Sequence, residues 1–226
     1  MKYKIRGTTM QVVDVELNAG ESIYTESGGM SWMSPNLKME TNTKGGLMKA
    51  LGRKFSGESL FMTTYTCEEG TGMITLSNEF PGKVLDFDLN AGESLICQKD
   101  AFMFAQSSVD LSIHVRKKLG AGLFGGEGFL MQKITGPGKA FLEIAGEITE
   151  MTLTAGQELK IDPGHIALFE PTVEFDITRV KGVKNILFGG EGLFLATLKG
   201  PGKVWLQSMP ISNLASKIIK YIPVKR

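Results

Sequence analysis

The chain has 226 residues, with 25 Lys and Arg against 24 Asp and Glu and a formal net charge of +1. With charges so nearly cancelled, no whole-molecule field directs it to nucleic acid or an anionic membrane, and any such contact must come from a local patch. The length suffices for one large all-β domain or two ordinary ones with a real core.

The basic N-terminal stretch MKYKIRGTTM has no apolar region behind it, and no run approaches the ~18 apolar residues of a membrane span. Neither export nor a bilayer crossing is expected. Glycine, at 28 residues, exceeds its usual share of ~7% and fits many tight turns. Cys67 and Cys97 lie inside apolar alternating runs without CxxC spacing, which predicts buried free thiols and a reducing, cytoplasmic setting.

One pattern recurs along the chain, in residues 10–82, 83–147 and 148–209. Each repeat opens with apolar residues at period two: Val13, Val15 and Leu17, then Leu85, Phe87 and Leu89, then Thr149, Met151 and Leu153. Asp14, Glu16, Asp86, Asp88 and Glu150 fall between them, as on a half-buried antiparallel strand. A turn follows at Asn18-Ala19-Gly20-Glu21, Asn90-Ala91-Gly92-Glu93 and Thr154-Ala155-Gly156-Gln157, where Gly supplies a positive φ.

A second strand is predicted at Ser22 to Thr25, Ser94 to Cys97 and Glu158 to Ile161, and a third around Met30 and Trp32, Phe102 and Phe104, and Ile166 and Leu168. The fourth is clearest where Val109, Leu111, Ile113 and Val115 alternate with Asp110, Ser112 and His114, and Val173, Phe175 and Ile177 repeat it. Next comes the most conspicuous segment, Phe124-Gly125-Gly126-Glu127-Gly128-Phe129. It returns 64 positions later as Phe188-Gly189-Gly190-Glu191-Gly192-Leu193, with a looser copy at Phe55-Ser56-Gly57-Glu58-Ser59-Leu60. A fifth strand, a turn at Gly136-Pro137-Gly138, Gly200-Pro201-Gly202 or Gly70-Thr71-Gly72, and a sixth strand close each repeat.

Six short strands per repeat predict an all-β fold of three antiparallel β-sandwich units in one domain, each hiding its edges against the next. The last segment, residues 210–226, departs from this. It places Leu214, Ile218, Tyr221 and Ile222 on one stripe of a C-terminal amphipathic helix.

Three groups of residues are candidates for function. Glu58, Glu127 and Glu191 could line a ligand site, although a carboxylate in such a turn more often accepts hydrogen bonds from its own backbone amides. One Glu per distant turn also supplies too few oxygens for a hard cation, so no metal or cofactor is expected. Lys139 and Lys203 follow Gly-Pro-Gly without P-loop spacing or a helix behind. His114 and His165 have no His or Cys at ligand spacing, and no catalytic residue can be nominated.

The loops before the Gly-Gly-Glu turns are the third group. They mix Lys and Arg with Leu47, Leu51, Leu119, Leu123, Phe124, Ile186, Leu187 and Phe188. Basic and apolar side chains together suit a surface that lies on an anionic bilayer or grips a partner. The competing reading folds the apolar groups inward while the amines reach water.

The stretch from Phe188 through Gly200-Pro201-Gly202-Lys203-Val204-Trp205-Leu206-Gln207-Ser208 and into Met209-Pro210-Ile211 resembles bacterial and archaeal relatives of the altered-inheritance-of-mitochondria, or mitochondrial biogenesis, family. The resemblance covers essentially the whole chain. It implies a fold of three repeated β units like the trp RNA-binding attenuation protein, classed with double-stranded β-helices, and a homotrimeric, pseudo-symmetric ring. It brings no catalytic residue.

The expected function is therefore a non-catalytic homo-oligomeric scaffold or binding protein, docking to an anionic membrane surface or a protein complex through its loops. One alternative is a nucleic-acid-binding ring by fold analogy. Near-zero net charge and few aromatics disfavour nucleic acid. The other alternative is a small-molecule enzyme with a site between repeats.

Overall fold

The computed structural model describes residues 1–26, 29–43, 61–117, 129–179, 194–219 and 221–222. After β1 (Lys2–Arg6), the first repeat supplies β2 (Val12–Asn18), β3 (Ser22–Glu26), β4 (Met30–Met33), β5 (Leu37–Thr43), β6 (Phe61–Cys67) and β7 (Thr71–Ser77). The second supplies β8 (Gly82–Leu89), β9 (Ser94–Gln98), β10 (Phe102–Gln106), β11 (Asp110–Lys117), β12 (Phe129–Thr135) and β13 (Gly138–Ala145). The third supplies β14 (Ile148–Leu153), β15 (Glu158–Ile161), β16 (Ile166–Phe169), β17 (Glu174–Arg179), β18 (Phe194–Lys199) and β19 (Gly202–Gln207). An α-helix, α1 (Ile211–Ile219), follows.

All-β architecture with a C-terminal helix is thus as the alternation predicts, and Val13, Val15 and Leu17 are fully buried on β2 while their neighbours are not. Two details differ. β1 was not expected from the N-terminal sequence; Lys2, Lys4 and Arg6 are exposed and Tyr3 and Ile5 half-buried, so it is a period-two strand among basic residues. The helix ends at Ile219 rather than Ile222, and Tyr221 and Ile222 lie in the following turn.

Sheets do not respect repeat boundaries. The strand orders are β1-β2-β7-β4, β5-β6-β3-β10-β13-β8, β11-β12-β9-β16-β19-β14 and β15-β18-β17. Each repeat therefore splits into two sets of three: its first, sixth and third strands form one half-sheet, and its second, fifth and fourth another. The second half-sheet of one repeat is completed by the first half-sheet of the next, through β3 with β10 and through β9 with β16. A half-sheet alone would leave backbone donors and acceptors unpaired along the inner edges as well as the outer ones. Sharing between neighbours removes the inner pair.

The chain forms two compact units, Met1–Glu93 with Phe102–Asp110 and Gly136–Glu143, and Ser94–Ala101 with Leu111–Thr135 and Ile144–Arg226. In the first, Val13, Val15, Leu17, Ile74 and Leu76 from one sheet and Phe104 and Phe141 from the other share a hydrophobic cluster. Phe104 and Phe141 stack at 4.2 Å, and Tyr3 meets Phe141 edge-on at 4.8 Å. In the second, Ile96, Phe129, Met131, Ile166 and Phe169 pack with Ala196 and Leu198. Cys67 and Cys97 are both free and buried.

The repeating turns explain why glycine recurs at two kinds of position. Gly20, Gly92 and Gly156 have φ of 83°, 85° and 77°, a region unfavourable to residues bearing a Cβ. Gly136 and Gly200 lie where the chain passes over that turn, Gly136 donating to the Glu93 carbonyl and Gly200 to the Gln157 carbonyl, both at 2.9 Å. A Cβ at Gly136 would collide with the carbonyl oxygens of Leu89 and Asn90, and one at Gly200 with those of Leu153 and Thr154.

Conformation alone should make Gly92→Ala cost about 1–2 kcal/mol, because nothing lies within 4 Å of an added Cβ there. Gly136→Ala strikes backbone and should lose more than Gly92→Ala, by about 1–3 kcal/mol. Urea unfolding of the two variants checks the order, and a Gly136→Ala protein as stable as Gly92→Ala would contradict it.

Candidate interaction site: open strand edges and the terminal helix

The polar residues that recur in every repeat are engaged close to home. At the first turn the side chain of Glu21, Glu93 or Gln157 accepts the backbone N–H of Asn18, Asn90 or Thr154 at 2.8, 2.8 and 3.0 Å. Asn18 holds the Glu21 carboxyl, and Asn90 the Glu93 carboxyl, below the usual carboxylate range. The N-terminal amine, 2.5 Å from Glu21, is the larger cause in the first case. Ser34, Gln106 and Glu170 do an equivalent job beyond the third strands, accepting the amides of Met73, Lys139 and Lys203 at 2.9, 2.8 and 2.9 Å.

A third set lies on the first strands. Asp14 takes a two-pronged contact from Arg6 and a 2.8 Å hydrogen bond from Thr75 Oγ1. Asp86 accepts from Tyr3 Oη. Glu150 accepts Lys203 Nζ at 3.0 Å and Trp205 Nε1 at 2.9 Å. The Lys203 and Trp205 hydrogen bonds hold the Glu150 carboxyl below its ordinary range, and Arg6 and Thr75 do so for Asp14. Asp14 and Glu150 hold strands that pair within one sheet, whereas Asp86 ties β8 to β1 of another sheet, and the sequence showed only that these acids occupy a polar face.

Unit two adds a buried amide network. Gln207 Nε2 donates to Gln98 Oε1 at 3.1 Å and to the Gly164 carbonyl at 2.8 Å, while its Oε1 accepts the Ala145 amide at 3.2 Å. His165 Nδ1 donates to the Gln207 carbonyl at 2.7 Å, and His114 is exposed on β11. Among the described residues no three His, Cys, Asp or Glu side chains converge as a metal site.

The sequence-predicted candidates Leu47, Leu51, Leu119, Leu123, Phe124, Ile186, Leu187 and Phe188 lie outside the described residues, as do Glu58, Glu127 and Glu191. Lys139 and Lys203 are described. Lys139 Nζ reaches Asp88 at 2.8 Å and lies 5.7 Å from the Tyr3 ring centroid.

Two surfaces stand out instead. The first is a pair of strand edges, β4 in unit one and β15 in unit two, each of which, among the described residues, ends its sheet. On β4, Trp32 is 56% exposed, whereas Phe104 and Leu168, at the same position of β10 and β16, are 0% exposed. No signal in the sequence separates Trp32 from its counterparts. Only the strand order does.

The second is α1 and the turn after it, where Ile218 and Ile222 are exposed, Ile219 is 63% exposed and Tyr221 87%. α1 contains no acidic residue; Asn213 and Leu214 donate to the Pro210 carbonyl at 3.0 and 3.2 Å. No Asp or Glu follows Glu191, while Lys217, Lys220, Lys225 and Arg226 do. Among the described residues no helix is long and apolar enough to cross a membrane.

With strand order and exposed surfaces in view, comparison with known proteins places the class. Residues 3–209 match the family described as Mitochondrial biogenesis AIM24, and the chain belongs to it. A curated relative, an uncharacterized protein of Streptococcus pyogenes serotype M6, is 30% identical over 233 residues, spanning 99% of this chain and 92% of its own length. The crystal structure of protein SPYM3_0169 from Streptococcus pyogenes superposes with a TM-score of 0.79 at 24% identity, over 98% of this chain and 99% of that one, and so shares the fold.

The Tyr3 contact, which joins two sheets, gives a pH-dependent test of these carboxylate contacts. The hydrogen bond to Asp86, then burial, then the charges of Asp86 and Asp88 push the Tyr3 phenol up to about 12. Its contribution to stability is whole below the unfolded phenol value of about 10 and is lost as pH rises through about 12. In a tyrosinate absorbance titration, Tyr3→Phe should remove one equivalent from the high-pH phase, and Asp86→Asn should move that equivalent down. An unchanged profile in both variants would refute the assignment.

Proposed function

We propose that this protein is a non-catalytic scaffold that self-associates, as a homotrimer, and presents basic and apolar segments to an anionic membrane surface. The observation that supports docking is the exposed apolar face at the C-terminus. Ile218, Ile219, Tyr221 and Ile222 are left in solvent, beside a tail whose charges are all positive. A short helix with apolar residues on one side and amines on the other lies in the interface between headgroups and acyl chains. Burial of the apolar side and attraction to anionic lipid act together there.

The loops that carry Leu119, Leu123, Phe124, Ile186, Leu187 and Phe188 would add similar side chains in the same reading, and a ring of copies multiplies weak contacts by avidity. The non-catalytic part rests on the recurring carboxylates, whose oxygens are engaged with turn amides, Arg6, Tyr3, Lys203 and Trp205. The likeness to the trp RNA-binding attenuation protein belongs to the same proposal, as an arrangement of repeats rather than a nucleic-acid function.

Flotation with phosphatidylserine-containing and purely zwitterionic vesicles tests it. The protein should float with the anionic vesicles at low salt and less so at high salt, as surface charge is screened. Ile219→Asp combined with Ile222→Asp should weaken binding by at least about tenfold, since each buried Ile contributes about 1.5–3 kcal/mol, with unchanged thermal unfolding. A protein that ignores anionic vesicles at low salt, or a double variant that floats as well as wild type, would show the membrane reading to be wrong.

A further inference from the structure

The outer edges of β2 and β8 hold the same place in two successive repeats, but only the first is covered by a strand. β1 lies antiparallel on β2, with Lys2 opposite Glu16, Tyr3 opposite Val15, Lys4 opposite Asp14 and Ile5 opposite Val13. Charge accompanies that pairing: Lys2 Nζ is 3.1 Å from Glu16 Oε1, and Arg6 grips Asp14 through both of its carboxylate oxygens. β8 carries Asp86 and Asp88 where β2 has Asp14 and Glu16, and Leu85 and Phe87 where β2 has Val13 and Val15. Among the described residues β8 ends its sheet, with β13 as its neighbour on the other side.

Two hydrogen bonds show which way the β8 backbone faces. Gly82 donates to the Thr9 carbonyl at 2.6 Å, and the Val84 amide donates to Gln11 Oε1 at 2.7 Å, so both amides point away from β13. Every second residue of an antiparallel strand turns its N–H and C=O to the same side, so those of Asp86 and Asp88 face the open edge as well. The side chains beside that edge are less covered than their counterparts. Asp86 and Asp88 are exposed and Leu85 and Phe87 half-buried, whereas Val13 and Val15, beside β1, are fully buried.

We infer that the β8 edge from Leu85 to Leu89 is a binding site for an extended segment of a partner protein that alternates basic and apolar residues, as β1 does. The segment lies antiparallel to β8, with Lys or Arg opposite Asp86 and Asp88 and apolar side chains opposite Leu85 and Phe87. Main-chain hydrogen bonds give such an added strand its affinity, and its alternate side chains give specificity. Asp86 already accepts from Tyr3 Oη, and Asp88 lies 2.8 Å from Lys139 Nζ. Asp14 shows that a first-strand carboxylate serves two partners at once, since it holds Thr75 Oγ1 together with Arg6. Two other sheet ends suit the segment less well. β14 has Thr152 where β8 has Asp88, and β1 presents Lys2, Lys4 and Arg6, which repel a basic strand. The site is separate from the docking face of α1 and does not depend on it.

The covered edge supplies the probe, a fluorescein-labelled peptide with the sequence of residues 2–6, Lys-Tyr-Lys-Ile-Arg, between flanking glycines. Its anisotropy should rise on titration with the full-length protein and fall back as salt is added. A peptide with Glu in place of Lys and Arg should give no rise. Asp88→Lys should weaken binding about fivefold or more, because like charges directly opposite repel. Asp88→Pro, which removes an outward N–H from an edge strand that tolerates proline, should abolish it. Both variants should keep the far-ultraviolet dichroism of wild type and its flotation with anionic vesicles. Asp88→Asn, which leaves shape and main chain unchanged, should weaken binding about threefold and carries the test if either of the others does not fold. Wild type that gives no rise at its highest soluble concentration overturns the inference. So does a Glu peptide that binds as well, or a set of Asp88 variants that all bind the basic peptide as tightly as wild type.

Discussion

A strand at the margin of a sheet leaves every second N–H and C=O without a partner, and a repeat built as two half-sheets of three strands has four such margins. Most of the architecture follows from how these margins are covered. β3 takes β10 and β9 takes β16, so that neither of the two six-stranded sheets belongs to one repeat alone. Cohesion along the chain is therefore carried by main-chain hydrogen bonds as well as by apolar contact. The second repeat is divided, with β8, β10 and most of β13 in one compact unit and β9, β12 and most of β11 in the other.

Alternation and turn chemistry made the strands readable. Val13, Val15 and Leu17 announce β2 because a residue pattern of period two has one buried face, and Gly20, Gly92 and Gly156 announce the turns because their φ values suit only glycine well. Pairing between repeats was not readable. Trp32, Phe104 and Leu168 look alike as sequence, and whether each is covered depends on a strand supplied by another repeat. β1 was missed for a related reason. Its polar face is Lys2, Lys4 and Arg6, which reads as a charged terminus until β2 offers Glu16, Asp14 and Val12 opposite those residues. The loop and Gly-Gly-Glu candidates were legible as repeats, and they lie outside the described residues.

The same logic governs the polar residues. An acid that appears at one position in three repeats looks like shared chemistry. Here the recurrence reflects a shared backbone: each turn has an amide to satisfy and the acid of each first strand holds a side chain of another strand. The partners vary, Arg6 and Thr75 for Asp14, Tyr3 for Asp86, Lys203 and Trp205 for Glu150, while the task does not. Divergence among partners is what local selection of a fold would leave, since any donor of suitable reach satisfies a carboxylate.

β1 has a further meaning. It covers the outer edge of β2, whereas β8 and β14, the counterparts of β2, end their sheets. The three repeats are thus alike in strand order but not interchangeable. β1 is the mark that sets the first repeat apart from the others.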